Sequence, residues 1–87
     1  MKRGSHPTRP TMVIVASTAR QADLVADELN LHRWRYAPTF THLGNAMAAN
    51  IIIVSPPLSD SAAYWLTVEE VQRIEAREGV QAVRVTL

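Results

Sequence analysis

Met12-Val13-Ile14-Val15-Ala16 and Ile51-Ile52-Ile53-Val54 are the two stretches on which the fold turns. Each is a continuous apolar run of strand length, rich in β-branched side chains. A strand sends successive side chains to opposite faces, so a run that is apolar throughout must be covered on both sides. The central strands of a parallel sheet meet that condition, because helical connections cover both faces.

Working outward, Ser17-Thr18 ends the first strand and a helical pattern follows. Thr18 is placed as the N-cap and Gln21 as the third helical residue of a capping box. Ala22, Val25, Ala26 and Leu29 fall at i, i+3, i+4 and i+7, which predicts one buried stripe, with Asp23, Asp27 and Glu28 pointing elsewhere. Asn30 to His32 close this helix. Arg33-Trp34-Arg35-Tyr36-Ala37 alternates with period two and stops at Pro38, so it reads as a second strand with rings on one face and arginines on the other. Thr41 to Ala49 is expected to be a short helix, with Leu43, Ala46 and Met47 at i, i+3 and i+4 and Asn50 as its stop.

Beyond the third strand, Ser55-Pro56-Pro57 ends the ladder, since neither proline can donate to it. Leu58 to Leu66 reads as a loop with one helical turn near Ala62 to Trp65. Thr67 and Glu70 then form a second expected capping box, Val68, Val71 and Ile74 mark a buried side, and Glu69 pairs with Arg73. Gly79 stops that helix. Val80 to Leu87 finishes the chain as a strand, with Val83 and Val85 on one face.

The expected order is β-α-β-α-β-α-β. Right-handed crossovers and the two most apolar strands in the middle give a four-stranded, mostly parallel sheet of order 2-1-3-4 with helices on both faces. This is an α/β domain of minimal, three-layer Rossmann-like or flavodoxin-like type. The domain spans residues 12–87. Residues 1–11 read as a disordered basic tail, and Arg3-Gly4-Ser5-His6 resembles an expression-vector scar.

Composition narrows the function. Eighty-seven residues, 47% of them hydrophobic, suit a single self-sufficient core. There is no cysteine, which excludes disulfides and thiolate zinc sites. No apolar run approaches the roughly 20 residues a membrane span needs, so no membrane association and a cytoplasmic location are expected. Net charge is +1, but Lys2, Arg3 and Arg9 sit in the tail. The remainder has six arginines against eight acidic residues, a net of −2, which argues against a nucleic-acid-binding core.

Ligands of open parallel sheets bind outside the carboxyl ends of the strands, where the order reverses. Here that places Ser17, Thr18, Arg20, Ser55 and Pro56 at a candidate anion site. The only glycines are Gly4, Gly44 and Gly79, none between the first strand and helix, so neither phosphate-cradling glycine motif is present. The single lysine, Lys2, lies in the tail. His32 and His42 have no carboxylate at ligand spacing, and no metal, cofactor or catalytic residue is expected. Arg33-Trp34-Arg35-Tyr36 is the one basic-aromatic cluster, of the kind that binds single strands, although alternation separates its rings from its charges. The eleven-residue stretch Ser55 to Trp65 is long for such a domain, and its Pro57, Leu58, Tyr64 and Trp65 form a candidate protein-binding surface.

Val13-Ile-Val-Ala-Ser-Thr-Ala-Arg-Gln-Ala-Asp-Leu-Val-Ala-Asp-Glu-Leu-Asn30 resembles the opening strand and helix of the second RecA-like domain of superfamily 2 helicases, without the Walker motifs or arginine fingers. The whole chain resembles short α/β proteins of actinobacteriophages in size, in its eight arginines to one lysine, and in its strand-helix-Trp-x-Tyr layout. That resemblance implies a phage accessory protein acting in the host cytoplasm. The expectation is a non-catalytic protein that binds a host or phage protein, with self-association through the Val83 to Leu87 edge also open. The alternative is nucleotide or single-stranded nucleic-acid binding through Ser17, Thr18, Arg20, Arg33 and Arg35, with nucleic acid the less expected partner.

Overall fold

The computed structural model describes residues 11–86 except 56 and 58–60. Most of the tail, Pro56, Leu58 and Leu87 therefore lie outside the described residues. The elements are β1 (Met12–Val15), α1 (Ala19–Glu28), β2 (Trp34–Tyr36), two short 3-10 turns (Phe40–Leu43 and Ala48–Asn50), β3 (Ile51–Ser55), α2 (Ala62–Glu78) and β4 (Val83–Thr86). All four strands are parallel, in the order β2-β1-β3-β4. Ile14 lies between Tyr36 and Ile52, and Ile53 between Val15 and Arg84.

The two apolar runs occupy the middle and are buried from Val13 to Ala16 and from Ile51 to Val54. Val13, Val15, Ile51 and Ile53 face one layer, made of Tyr64, Val71 and Ile74 from α2 with Leu43 and Ala48 from the 3-10 segment. Ile14, Ala16, Ile52 and Val54 face the other, made of Ala22, Val25 and Ala26 from α1. Each large aliphatic side chain so covered contributes about 1.5–3 kcal/mol, which no one-sided arrangement could recover. Topology assigns the layers. A right-handed step from β1 to β2 runs opposite to the steps from β2 to β3 and β3 to β4, so α1 and α2 fall on opposite faces.

Four local expectations are corrected. Thr41 to Ala49 does not form an α-helix. Its two 3-10 turns are separated at Gly44, whose φ of +59° lies where other residues are strained. Thr39 Oγ1 makes 2.8 Å hydrogen bonds with Thr41 Oγ1 and His42 Nδ1, holding the segment in a local, non-helical turn. Local bonds such as His42 N to the Thr39 carbonyl satisfy part of its backbone, and distant residues satisfy more. Arg35 Nη2 donates to the Leu43 carbonyl at 2.9 Å, and Ala48 N donates to Glu78 Oε1 at 2.9 Å.

The second correction concerns α2, which starts at Ala62 rather than at Thr67. Ser61 is its N-cap, with Oγ accepting from Tyr64 N at 3.3 Å. Thr67 is fully buried inside the helix, and its hydroxyl donates to the Ala63 carbonyl at 2.7 Å. Two residues with capping chemistry lie six positions apart, and the helix begins at the earlier one, which places Tyr64 in the core. The third correction is the ion pair, which joins Arg73 to Glu70 at 2.9 Å instead of to Glu69. Fourth, Leu29 is 42% exposed, and Gln21 takes a fully buried place in the α1 stripe with Ala22, Val25 and Ala26. Asn30 and Gly79 end the helices as expected, with φ of +55° and +70°.

One ionic contact fixes the last strand. Arg84 on β4 grips Glu75 on α2 with both terminal nitrogens, at 2.8 and 3.1 Å, and Glu75 Oε2 also accepts from Ala82 N at 2.7 Å. The hydrogen bond from Arg84, above all, holds the Glu75 carboxyl below its ordinary pKa. A carboxylate with a lower pKa folded than unfolded stabilises the fold while ionised, and that contribution is lost as protonation removes it. Stability to urea is therefore expected to fall as pH drops through and below the ordinary carboxylate range, and Glu75→Gln should flatten part of that fall. An unchanged pH profile in the variant would contradict this assignment.

Candidate functional site

The carboxyl ends of β1 and β3 are where this topology presents a ligand crevice. Among the described residues, side chains of the chain itself bond to the backbone there. Ser17 follows β1, and Thr18 caps α1 with Oγ1 accepting from Gln21 N at 3.1 Å. The expected reciprocal bond reaches one residue further, since Gln21 Oε1 accepts from Ser17 N at 3.0 Å and from Ser17 Oγ at 3.1 Å. In a phosphate-binding turn the first main-chain N–H groups after the strand face an anion. Here the amide oxygen of Gln21 faces Ser17 N.

Two tyrosines close the neighbouring carbonyls from opposite faces of the sheet. Tyr36, on the α1 side, donates to the Ala16 carbonyl at 3.3 Å, and Tyr64, on the α2 side, donates to the Val54 carbonyl at 2.7 Å. Burial raises the pKa of both phenols, so both stay protonated donors at neutral pH. A neutral amide and two phenols thus bind the backbone atoms at the ends of the central strands. They offer that backbone, not a ligand, their hydrogen bonds.

The remaining members of the anion set do not converge. Arg20 is exposed in the first turn of α1, at the carboxyl end of β1. Arg33 immediately precedes β2, whose first residue pairs with Met12, so it lies at the opposite end of the sheet. Arg35 sits on the α2 side with its guanidinium on the Leu43 carbonyl. Trp34 and Tyr36 pack on the other face against the α1 layer. The separation of rings and charges expected from alternation is therefore realised.

The candidate protein-binding set also divides. Tyr64 is a core residue, 2% exposed with its hydroxyl bonded, so it is not a surface anchor. Trp65 is 50% exposed and rests edge-on against Tyr64, with ring centroids 4.9 Å apart and planes at 84°. Pro57 is half-buried, and Leu58 lies outside the described residues. The neighbour that sequence reading passed over is Leu66, 52% exposed. Once α2 begins at Ala62, Trp65 and Leu66 share its outer side with Glu69 and Arg73, while Tyr64, Thr67, Val71 and Ile74 turn inward.

A second concavity of about 310 Å³ lies between the 3-10 segment and α2, with Phe40, Ile74, Arg77 and Glu78 among its walls. His32 and His42 are exposed, and among the described residues no three His, Asp or Glu side chains group as for a metal ion. No helix among the described residues is long and apolar enough to cross a membrane. No protein-family model matches the chain, and no curated protein or solved structure shows significant similarity to it.

The Gln21 clamp is directly testable. Gln21→Ala removes the acceptor shared by Ser17 N and Ser17 Oγ and leaves a void in a buried position. Chemical denaturation should show a loss of about 1–3 kcal/mol. A loss below a few tenths of a kcal/mol would show that the clamp is dispensable.

Proposed function

We propose that this chain is a non-catalytic interaction protein that docks a protein partner on the exposed start of α2, with Trp65 as anchor and Leu66 beside it. The observation that carries the reading is the pair itself: two large apolar side chains, each half-exposed, adjacent on a helix whose inner side is locked into the core. Tryptophan in such a position gives a large contact area with little conformational entropy to lose on binding, and it is over-represented among the residues that dominate protein interfaces. The ring is already held edge-on by Tyr64. Glu69 and Arg73, on the same side of α2, supply a mixed polar rim of the usual kind.

The non-catalytic part of the proposal draws its support from the strand ends. Where doubly wound folds take small molecules, Gln21, Tyr36 and Tyr64 are committed to the backbone of this chain. Following the resemblance to short actinobacteriophage proteins, the partner would be a component of the host or of the phage, met in the cytoplasm.

Trp65→Ala and Leu66→Asp alter exposed positions, so each should keep a cooperative thermal transition close to that of the parent. Affinity capture with the parent chain is expected to retain a stoichiometric protein that both variants lose, while Gln72→Ala, about two turns further along the exposed side, retains it. Identical capture by parent, Trp65→Ala and Leu66→Asp would refute the assignment of this surface.

A further inference from the structure

The two layers covering the sheet are unequal. On one face, α2 and the 3-10 segment pack together over the strands and reach β4 through Ala82 and the Arg84–Glu75 contact. On the other face α1, ten residues long, is the only helix among the described residues, and it lies over β1, β2 and β3. β4 is left with little cover there. Val83 is 44% exposed and Val85 only half-buried, although alternation turns both toward the α1 side.

Between α1 and β4 runs a groove of about 440 Å³. Its apolar walls are Leu24 and Val25 from α1, Leu29 at the end of that helix and Val85 from β4, and its rim carries Asp27 and Glu28. Leu24 is 51% exposed, so four aliphatic residues on this face look toward solvent. Strands are spaced about 4.8 Å apart and packed helices about 8–10 Å apart. A helix beside one centred over β1 therefore falls two strands away, over β4.

Charge selects the occupant. Arg20 is the one basic residue of α1, against Asp23, Asp27 and Glu28, and Arg84 of β4 is turned to the opposite face by Glu75. A second copy docked through this face would bring the same acidic rim against itself. A helix with an apolar stripe and basic flanks meets both the aliphatic floor and the acidic edge.

We infer that the α1–β4 groove is a docking site for a basic amphipathic helix of a partner protein, separate from the Trp65 surface on the other side of the sheet. The helix lies beside α1, with its apolar stripe on Leu24, Leu29, Val83 and Val85 and its lysines or arginines against Asp27 and Glu28. The contact supplies the cover that the fold leaves off β4.

The test uses the whole chain and designed peptides of about 14 residues, four helical turns. Each has leucines at i, i+3, i+4 and i+7, flanked in one case by arginine and in the other by glutamate. Titration followed by methyl and amide NMR should give saturable shifts at Leu24, Leu29 and Val85 with the arginine peptide. Affinity should be about tenfold lower for the glutamate peptide, and the Asp27→Lys/Glu28→Lys double variant should reverse that order. Leu24→Arg, at an exposed position, should abolish the shifts while leaving thermal stability and any Trp65-dependent capture intact. Shifts centred on Trp65, equal binding of both peptides, or a concentration-dependent dimer dispersed by Leu24→Arg would each overturn the inference.

Discussion

Double-sided burial of β1 and β3 is the constraint from which the rest of this structure follows. From Met12 to Val15 and from Ile51 to Val54 neither strand has a polar side chain to offer to water on either face, so each needs a layer above and a layer below. Parallel pairing with crossover connections supplies both layers, and strand order 2-1-3-4 supplies them with one reversal of direction. The edges are then left to strands that tolerate exposure. β2 has three residues and carries Arg35, and β4 carries Arg84. Each arginine is folded back onto the α2 side, one to a carbonyl and the other to a carboxylate, so edge charges serve as ties between layers as well as deterrents to strand addition.

The same topology creates a reversal point, and here the chain uses it for itself. Gln21 takes the main-chain N–H of Ser17, and Tyr36 and Tyr64 take the carbonyls of Ala16, just past β1, and of Val54, near the end of β3. All three contacts join a layer to the sheet at its carboxyl end. A domain of this size has little core to spare, and satisfying backbone groups internally adds stability. Some of the large apolar side chains that remain exposed lie on or beside the helices. Trp65 and Leu66 lie on one side of the sheet, and Leu24 and Leu29 on the other.

Much of the fold was legible because the decisive runs are uninterrupted. Met12 to Ala16 and Ile51 to Val54 admit one environment, and strand number, order and parallel direction follow from it. What failed was legible only in three dimensions. Thr41 to Ala49 has helical spacing, but its satisfied state depends on Arg35 and Glu78, which lie far away in sequence. Thr67 has the chemistry of a cap, yet its hydroxyl is equally served by the carbonyl four residues earlier, and nothing local distinguishes the two. For the candidate site, an aromatic dipeptide at Tyr64-Trp65 could be noticed but not divided into core and surface, because that depends on where α2 begins. Leu66 was hidden by the same ambiguity. Gln21 was recognised as a capping residue, while its burial was not, since a polar residue is normally placed outside the stripe.

Residue-resolved amide hydrogen exchange tests the central constraint most directly. The amides of Val13, Ile14, Val15, Ile52 and Ile53 should exchange only through global unfolding, with those of β2 and β4 exchanging at least about tenfold faster through local opening. Exchange at β1 or β3 as fast as at the edge strands would contradict the placement of these two runs at the doubly covered centre of the sheet.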